Sequence, residues 1–324
     1  MKQLDFIIIG AQKSATTSLF KYLMRHPDIN MPGDKEAPYF SDDKLYSKGW
    51  DNFCQQYFKS ADKNKLWGTA SPQYMGDLRV AERIAKQNPK AKLIAILRHP
   101  VDRAYSHYTM SVRRDIETRD FSDSVNDLLH ADHLHKYRSE IPPDHHAGYG
   151  LSDVNSDKSN DHKDTHYYCV WSEYGRILTH YNHFFPLQQL LILTMDELME
   201  EPQQTLNKVT QFLGFKKSFL PTNLGKIYHQ GGNQLIIPNI WKERIKSNPL
   251  FRFFWDKTSP RVKGHINYWY EQFNVRHDTT SAKDKEPTPK TRQQLVEHFS
   301  KDIKLLEKLI LKTVPWKEFH PKTD

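Results

Sequence analysis

The sequence predicts an α/β fold in which helices cover both faces of a central parallel sheet, giving three layers in the order α/β/α. Three short apolar runs have the length and composition of buried parallel strands, namely Phe6–Ile9, Leu93–Leu97 and Leu190–Leu193. Apolar residues at helical spacing follow each run along the chain. A chain of 324 residues is long enough for one large domain or two smaller ones. We expect a single domain over residues 1–324.

The first predicted strand leads into a loop of small and polar residues after Gly10. The loop comprises Ala11, Gln12, Lys13, Ser14, Ala15, Thr16, Thr17 and Ser18. Helical spacing then begins at Leu19 and ends near Pro27. A strand, a tight loop and a helix direct free backbone N–H groups and the positive end of a helix dipole at one point, where an anion binds readily. Because Lys13 adds charge and the hydroxyls add donors, we predict a phosphate or sulfate site. The alternative is an ordinary turn with a surface lysine.

The next segments alternate between polar and apolar patterns. Asp28–Asp42 is polar and is predicted to be a loop that returns to the carboxyl edge of the sheet, where open α/β sheets bind ligands. We predict one amphipathic helix over Lys44–Ala61, a short strand within Leu66–Tyr74 that Pro72 breaks, and a helix over Asp77–Gln87.

A second candidate phosphate site follows the strand Leu93–Leu97. Arg98 ends this strand, and Pro100 suits the first turn of the helix that follows. The guanidinium of Arg98 is suited to a bidentate contact with a phosphate, and Ser106 offers a hydroxyl. A strand–helix junction with ordinary salt bridges explains the residues of this segment equally well when it is taken alone.

The middle of the chain holds histidines and a long polar stretch. We predict a helix over Phe121–Lys136, and its histidines are His130, His133 and His135. No zinc-binding motif accompanies them, so we predict solvated histidines and no metal. The stretch 140–166 is predicted to be a long loop, and a lid or a disordered segment fits its composition equally well. A helix over Tyr167–Phe185 is predicted to begin near Ser172 as its N-cap.

The last part of the chain returns to regular patterns. A helix is predicted from Pro202 to Gly214, and a basic helical cover with interleaved aromatic residues over about 229–290. The aromatic residues of this cover fit packing onto the core, contact with a bound ligand, and contact with a membrane or nucleic acid. A terminal amphipathic helix is predicted over about 290–312, after which Trp316 would anchor the tail.

Composition limits the classes of function. The net charge is +8 and the sequence pI is about 9.1, which suits a polyanionic cofactor, an anionic acceptor or nucleic acid. No nucleic-acid-binding module has its signature here, so no nucleic-acid partner is expected. Cys54 and Cys169 are predicted to be free thiols in a reducing compartment. Because no apolar stretch has transmembrane length and no signal peptide is recognisable, we expect a cytoplasmic protein. The sequence does not define an oligomeric state.

Two of these segments carry a family resemblance. The run Gly10–Ser18, G-A-Q-K-S-A-T-T-S, lacks the G-K-[ST] of a Walker A loop and resembles the 5′-phosphosulfate loop of PAPS-dependent sulfotransferases. In the second segment, Arg98, Arg103, Ser106 and Tyr108 match the 3′-phosphate motif of the same family. The chain therefore resembles a bacterial sulfotransferase related to the heparan sulfate and carbohydrate enzymes.

The resemblance implies a P-loop-like fold, 3′-phosphoadenosine 5′-phosphosulfate as donor, adenosine 3′,5′-bisphosphate as product and no metal. It assigns the loop residues Gln12 to Ser18 to the 5′ end, and Arg98 with Ser106 to the 3′-phosphate. Lys13 would neutralise the leaving phosphate. Glu36 would be the catalytic base, because K-E-A-P-Y-F over residues 35–40 is similar to a K-E-x-x-[FY]-F run of heparan-type enzymes. Composition alone indicates a solvated charge at Glu36, and a histidine is the alternative base.

The acceptor is less well defined by the sequence. The context of Glu36 indicates a hydroxyl or amine acceptor, with a carbohydrate as first choice. Ala70 stands where heparan-type relatives carry an active-site lysine, which favours a small metabolite or a lipid alcohol as second choice. Two other classes stay open, a kinase-like nucleotide-binding protein and a non-enzymatic binder of anions or nucleic acid.

Overall fold

The structure is a computed structural model that describes residues 2–33, 35–113, 116–140, 142, 163–226, 228, 233–235, 275–277 and 286–320. The chain forms two compact units. The larger comprises Met1–Ala147, His162–Tyr228 and Pro287–Asp324, and the smaller comprises Gly148–Asp161 and His229–Glu286. The single domain that the sequence suggests stays a prediction.

The larger unit consists of parallel strands connected by one or more helices. Its strands are β1 (Phe6–Gly10), β2 (Ile29–Asn30), β3 (Leu66–Ala70), β4 (Lys92–Leu97) and β5 (Leu190–Thr194). Its helices are α1 (Thr16–Leu23), α2 (Asp43–Ser47), α3 (Trp50–Phe58), α4 (Leu78–Gln87), α5 (Pro100–Arg113), α6 (Phe121–Leu128), α7 (Ala131–Ser139), α8 (Tyr174–Phe184), α9 (Met195–Glu200), α10 (Pro202–Leu213) and α11 (Pro289–Ile310). The smaller unit contains the antiparallel strands β6 (Asn233–Leu235) and β7 (Val275–His277).

The five strands of the larger unit form one parallel sheet in the order β2-β3-β1-β4-β5. The predicted central parallel sheet with flanking helices is therefore confirmed. Because all strands run the same way, their carboxyl ends meet at one edge of the sheet, which is the edge at which such sheets bind ligands.

Both faces of the sheet are buried, which explains why its central strands are apolar throughout. Side chains alternate between faces along a strand. Phe6 and Ile8 pack with α1 and α10, whereas Ile7 and Ile9 belong to the core cluster that contains residues of α4, α5, α8 and α11. In the neighbouring strand β3, a Cβ on Gly68 would lie 2.0 Å from the ring of Phe6, so only glycine fits there.

Two helices predicted as continuous are each interrupted. The prediction of one helix over Lys44–Ala61 is wrong, because Lys48 and Gly49 separate α2 from α3 and Gly49 takes a φ of +82°. The predicted helix over Phe121–Lys136 likewise consists of α6 and α7, and the backbone leaves the helical region at His130.

The start of α8 also differs from its prediction. Ser172 is not the N-cap of this helix, because it lies in a short 3₁₀ turn, Val170–Ser172, and Glu173 precedes the first helical residue. The hydroxyl of Ser172 instead accepts a hydrogen bond of 2.6 Å from Arg103 Nε. A buried arginine thus holds the hydroxyl that would otherwise be available to cap the helix.

The helix α9 has no counterpart among the predicted elements. It begins with a capping box in which the Thr194 hydroxyl accepts from Glu197 N–H at 3.2 Å, and Glu197 accepts from Thr194 N–H at 2.9 Å. Other predictions hold: α10 ends at Gly214, whose φ is +105°, and Trp316 is buried and donates to Asp196 at 3.1 Å.

Some predictions fall on residues that the structure does not describe. The basic cover over about 229–290 lies outside the described residues except for 233–235, 275–277 and 286–290, and the polar stretch 140–166 except for 140, 142 and 163–166. Within the described ranges, we find no helix that combines the length and the apolar character needed to cross a membrane.

Candidate functional site

Hydrogen bonds at the carboxyl edge of the sheet bring three separate segments of the chain together. Ala11 N–H, which begins the loop after β1, donates to Ile96 O of β4 at 2.8 Å. Ser71 N–H, directly after β3, donates to Ile8 O of β1 at 3.1 Å. The loop 11–15, the segment that follows β3 and the residues that follow β4 therefore leave the sheet side by side.

The loop after β1 has the backbone of an anion site. Lys13 and Ala15 take left-handed conformations, with φ of 71° and 60°, and such residues turn successive N–H groups into anion-binding concavities. The turn closes through Ser14 N–H, which donates to Ala11 O at 3.2 Å. No hydrogen bond of the described structure uses the backbone N–H of Ala15, Thr16 or Thr17, as expected for the start of helix α1.

The side chains of the loop differ in accessibility. Gln12, Ser14, Thr16 and Ser18 are buried, whereas Lys13, Ala15 and Thr17 are partly exposed. Gln12 Oε1 and Ser14 Oγ lack a well-aligned hydrogen bond among the described residues. Buried polar atoms of this kind are uncommon unless a ligand or water completes them. Gln12 Oε1 only accepts, so it requires a donor such as water, and the unused backbone N–H groups remain the feature of this loop that suits an anion.

The hydroxyl of Ser18 serves a different purpose from the rest of the loop. It accepts a hydrogen bond of 3.2 Å from the N–H of Tyr228. Nearby, Tyr22 Oη donates to Lys226 O at 3.0 Å. Ser18 therefore fastens the segment that ends at Tyr228 onto α1, and its O–H remains available as a donor.

The segment after β4 contains both predicted residues of the 3′ site. Arg98 is partly buried at the end of the strand, and its carbonyl accepts a hydrogen bond of 2.9 Å from Tyr174 Oη. Ser106 lies in the second turn of α5 and is partly exposed. The side chains of both residues therefore remain accessible to a ligand.

Arg103 belongs to the same sequence motif but lies inside the protein. It is fully buried, and its guanidinium donates to Ser172 Oγ at 2.6 Å and to Tyr168 O at 2.8 Å. These contacts hold residues 167–172 against α5. Arg103 thus organises the core behind the site.

Glu36 lies beside the segment that follows β3. Its Oε2 accepts from Gln73 Nε2 at 3.2 Å, and its Oε1 lies 3.9 Å from Lys35 Nζ. The backbone next to it is fixed, because Ala37 N–H donates to Ser71 Oγ and Ser71 Oγ donates back to Ala37 O, both at 3.1 Å. The carboxylate is about 30% exposed, so it is held in place and still open to a substrate.

Lys35 has an unusual environment for a lysine. Its side chain is 17% exposed, and burial lowers its pKa from 10.5 to about 8, although the nearby Glu36 opposes the shift. Ala70, where a lysine of heparan-type relatives would stand, is fully buried at the end of β3. The amine close to Glu36 is therefore supplied by Lys35, which precedes it in the chain.

Three residues of this region were not selected from the sequence: Lys35, Gln73 and Tyr174. Lys35 is adjacent to Glu36 and could have been chosen on that ground. The contacts of Gln73 and Tyr174 join residues 37 and 76 positions apart, so no local pattern indicates them.

The three histidines singled out in the sequence, His130, His133 and His135, lie at the start of α7 and within it, on the surface of the larger unit. His130 is 64% exposed, and His133 Nδ1 lies 3.0 Å from Asp127. Among the residues that the structure describes, no three or more His, Cys, Asp or Glu side chains are arranged to hold a metal ion.

The sequence of this chain is similar to those of known sulfotransferases. A profile of the sulfotransferase domain matches residues 3–286. The chain is 25% identical over 292 residues to the membrane-associated sulfotransferase kil1 of Dictyostelium discoideum, covering 72% of this chain and 61% of that protein. It is 28% identical over 218 residues to heparan sulfate glucosamine 3-O-sulfotransferase 3B1 of Homo sapiens, covering 65% of this chain and 46% of that protein. The chain thus spans about half to three fifths of these relatives.

A solved structure shares the fold. The crystal structure of a sulfotransferase from Alicyclobacillus acidocaldarius superposes with a TM-score of 0.61 at 22% identity, covering 97% of this chain and 98% of that one. The fold is thus that of a sulfotransferase, and the family resemblance predicted from the two sequence motifs is confirmed.

Proposed function

The chain belongs to the sulfotransferase domain family, and on this premise we propose that it transfers a sulfuryl group from 3′-phosphoadenosine 5′-phosphosulfate to a hydroxyl or amine acceptor. We propose a carbohydrate as the acceptor. Heparan sulfate glucosamine 3-O-sulfotransferases among the relatives support this choice by their names.

One observation carries the proposal. The loop 11–15 and the segment of Arg98 leave neighbouring parallel strands at the same edge, joined by the hydrogen bond from Ala11 N–H to Ile96 O at 2.8 Å. A nucleotide with phosphates at its 3′ and 5′ positions needs two anion sites that lie close together and face one ligand. The left-handed loop and the guanidinium of Arg98 are suited to be these two sites.

The reaction needs little covalent chemistry from the protein. The bond between sulfur and the bridging oxygen of the 5′-phosphate breaks while a bond between sulfur and the acceptor oxygen or nitrogen forms. As in phosphoryl transfer, placement and charge stabilisation supply most of the rate enhancement. In this proposal Lys13 neutralises the charge that grows on the departing phosphate oxygen. The N–H groups of Ala15, Thr16 and Thr17 hold the 5′ end.

Glu36 is proposed as the general base that takes the proton from the acceptor. Its carboxylate is partly exposed and is oriented by Gln73 at 3.2 Å, as a base that must meet a bound substrate requires. Lys35 Nζ, at 3.9 Å, keeps a positive charge beside the carboxylate below about pH 8. We propose that this amine takes the place of the lysine that is absent at Ala70.

A small metabolite or lipid alcohol is the second candidate acceptor. The observation that favours it is Ala70, which is aliphatic and fully buried. Heparan-type relatives carry a lysine at this position, and the chain therefore lacks a positive charge that a polyanionic acceptor would contact. A screen of acceptors with radiolabelled donor separates the two, because only one class would incorporate label.

The test of the donor is a thermal-shift titration of the full chain with adenosine 3′,5′-bisphosphate. Binding to the native state at a hundred times the dissociation constant stabilises it by about 2.7 kcal/mol, which raises the melting temperature by several degrees. Adenosine 5′-monophosphate, which lacks the 3′-phosphate, is the matched control and should bind more weakly.

Other outcomes would favour other classes. Stabilisation by ATP with Mg²⁺ but not by adenosine 3′,5′-bisphosphate would favour a kinase-like protein. Steeply salt-dependent binding of DNA or RNA without saturable nucleotide binding would favour a non-enzymatic anion binder. Either result would overturn the proposed function.

A further inference from the structure

Tyr174 is hydrogen-bonded to one of the two segments proposed to bind the phosphates and lies beside the other. It is the first residue of α8 and is fully buried. Its hydroxyl donates to Arg98 O at 2.9 Å. The buried hydroxyl of Ser14, in the loop after β1, lies close enough to Tyr174 Oη to act on its pKa. One phenol therefore stands between the two segments.

The chemistry of a phenol suits this position. Burial raises the pKa of Tyr174, and Arg103, Arg98 and the Ser14 hydroxyl oppose the rise only in part, so the hydroxyl keeps its proton. A hydroxyl offers one donor and two acceptor positions. Tyr174 uses the donor on Arg98 O, which leaves its oxygen to accept from Ser14 Oγ, an atom with no well-aligned partner among the described residues.

The backbone around Tyr174 is fixed independently of the site. Gly175 N–H and Arg176 N–H both donate to the carboxylate of Asp302 in α11, each at 2.8 Å. A Cβ on Gly175 would lie 2.2 Å from Asp302 O, so the two helices touch at this point. The phenol consequently projects from a rigid support, and its hydrogen bond holds the backbone at Arg98 in a fixed position relative to that support.

We propose that Tyr174 is a positioning residue that sets the spacing between the 5′ and 3′ anion sites. This inference rests on the proposed function, because it concerns the binding of the same nucleotide. A ligand that is held at both ends gains from the second contact only when the spacing of the sites is preset. Tyr174 should therefore affect the ratio between the affinity for a nucleotide with two phosphates and the affinity for a nucleotide with one. Its effect on the binding of either monophosphate should be much smaller.

The experiment compares Tyr174→Phe with Tyr181→Phe. Tyr181 is a matched control, because it lies on the same helix, is fully buried and donates through its hydroxyl to a backbone carbonyl, Tyr74 O, at 2.6 Å. Dissociation constants are measured by calorimetry on the full chain for adenosine 3′,5′-bisphosphate, adenosine 5′-monophosphate and adenosine 3′-monophosphate.

We expect Tyr174→Phe to weaken bisphosphate binding about tenfold, the size of one lost buried hydrogen bond, and each monophosphate less than about threefold. Tyr181→Phe should keep the wild-type ratio between bisphosphate and monophosphate, although its stability falls by a similar amount. A purely structural role for Tyr174 would lower stability without changing that ratio. An unchanged ratio in Tyr174→Phe therefore overturns the inference.

A second variant covers the case in which Tyr174→Phe does not fold. Ser14→Ala removes the hydroxyl on the loop side, and it should also reduce the preference for the bisphosphate over adenosine 5′-monophosphate, a ratio in which any direct contact of Ser14 with the 5′-phosphate cancels. Retention of the full preference in Ser14→Ala would overturn the inference as well. Failure of the wild-type chain to bind any of the three nucleotides would instead overturn the proposed function, so the two failures are distinguishable.

Discussion

The amine of Lys35 should make the stability of this protein rise with pH in an alkaline range. Its side chain is 17% exposed, and burial lowers its pKa from 10.5 to about 8. Between these two pH values the unfolded chain binds a proton that the native state has released, so the free energy of unfolding increases with pH. Each pH unit corresponds to about 1.4 kcal/mol, so the whole range contributes about 3 kcal/mol.

The measurement is urea unfolding of the wild type and of Lys35→Met at pH 7.5, 9 and 10.5. Methionine keeps the length and the apolar stem but has no proton to release, so the variant lacks this increase. Taking the difference between the two proteins cancels the titration of all other groups. At pH 7.5 we expect the variant to be the more stable of the two by about 3 kcal/mol, an advantage that disappears near pH 10.5.

Lys44→Met is the control, because Lys44 is exposed on α2 and its replacement should leave the pH dependence unchanged. If the difference between wild type and Lys35→Met stays constant across this range, the amine is not desolvated and the reasoning fails. The same titration bears on the site, because above about pH 8 Glu36 loses the positive charge that lies 3.9 Å from its carboxylate.

Three further predictions concern single side chains. Lys13→Ala should lower turnover by about 10² or more while far-ultraviolet circular dichroism and urea unfolding remain those of the wild type; near-normal turnover would remove Lys13 from the reaction. Glu36→Gln should lower kcat by about 10²–10⁴ and leave the dissociation constant for adenosine 3′,5′-bisphosphate within about threefold; unaltered kcat would assign the base to another residue. Glu173→Gln should cost about 3–5 kcal/mol in urea unfolding at pH 7, because this buried carboxylate pairs with Arg138 at 2.5 Å and Arg176 at 2.7 Å. These and other partners lower the pKa of Glu173 to about 2 despite burial, so the penalty should shrink as pH falls from about 4.5 towards 2, and a penalty that persists there would contradict the assignment.

The sheet could be predicted from the sequence because its central strands are buried on both faces. The buried strands β1 and β4 consist mainly of continuous apolar runs, and the edge strand β5 carries such a run over Leu190–Leu193 although it is only partly buried, so all three are visible in the sequence. β2 has only two residues, Ile29 and Asn30, and offers no pattern to detect. The capping box of α9 was overlooked because Thr194 is both the last residue of β5 and the N-cap of the helix.

The candidate site likewise contains features that could be predicted from the sequence and features that could not. The loop 10–18 is a local feature, so its residue types and order were sufficient to predict the strand, tight loop and helix that the structure shows, while the anion site itself stays a prediction. The orientation of Arg103 could not be predicted, since arginine is rarely buried and a sequence motif does not state which side of α5 faces the core. The contacts of Gln73 and Tyr174 depend on how distant segments meet, and those positions follow only from the packed structure.

The position of the predicted 3′ site depends on residues near the end of the described chain. His99 Nε2, next to Arg98, lies 2.8 Å from Glu318 Oε2, and the ring of His99 stacks on Phe319 at 5.2 Å. Arg292 of α11 donates to both Asp102 and Glu318 at 2.8 Å, so it joins the start of α5 to the same tail.

These contacts fix the backbone on one side of Arg98, while Tyr174 holds its carbonyl by a hydrogen bond of 2.9 Å. Because side-chain placement at a binding site requires a fixed backbone, we expect α8, α11 and the tail to determine jointly how well Arg98 can bind the proposed 3′-phosphate. The motif around Arg98 supplies the chemical group, and contacts made about two hundred positions later in the chain supply its geometry.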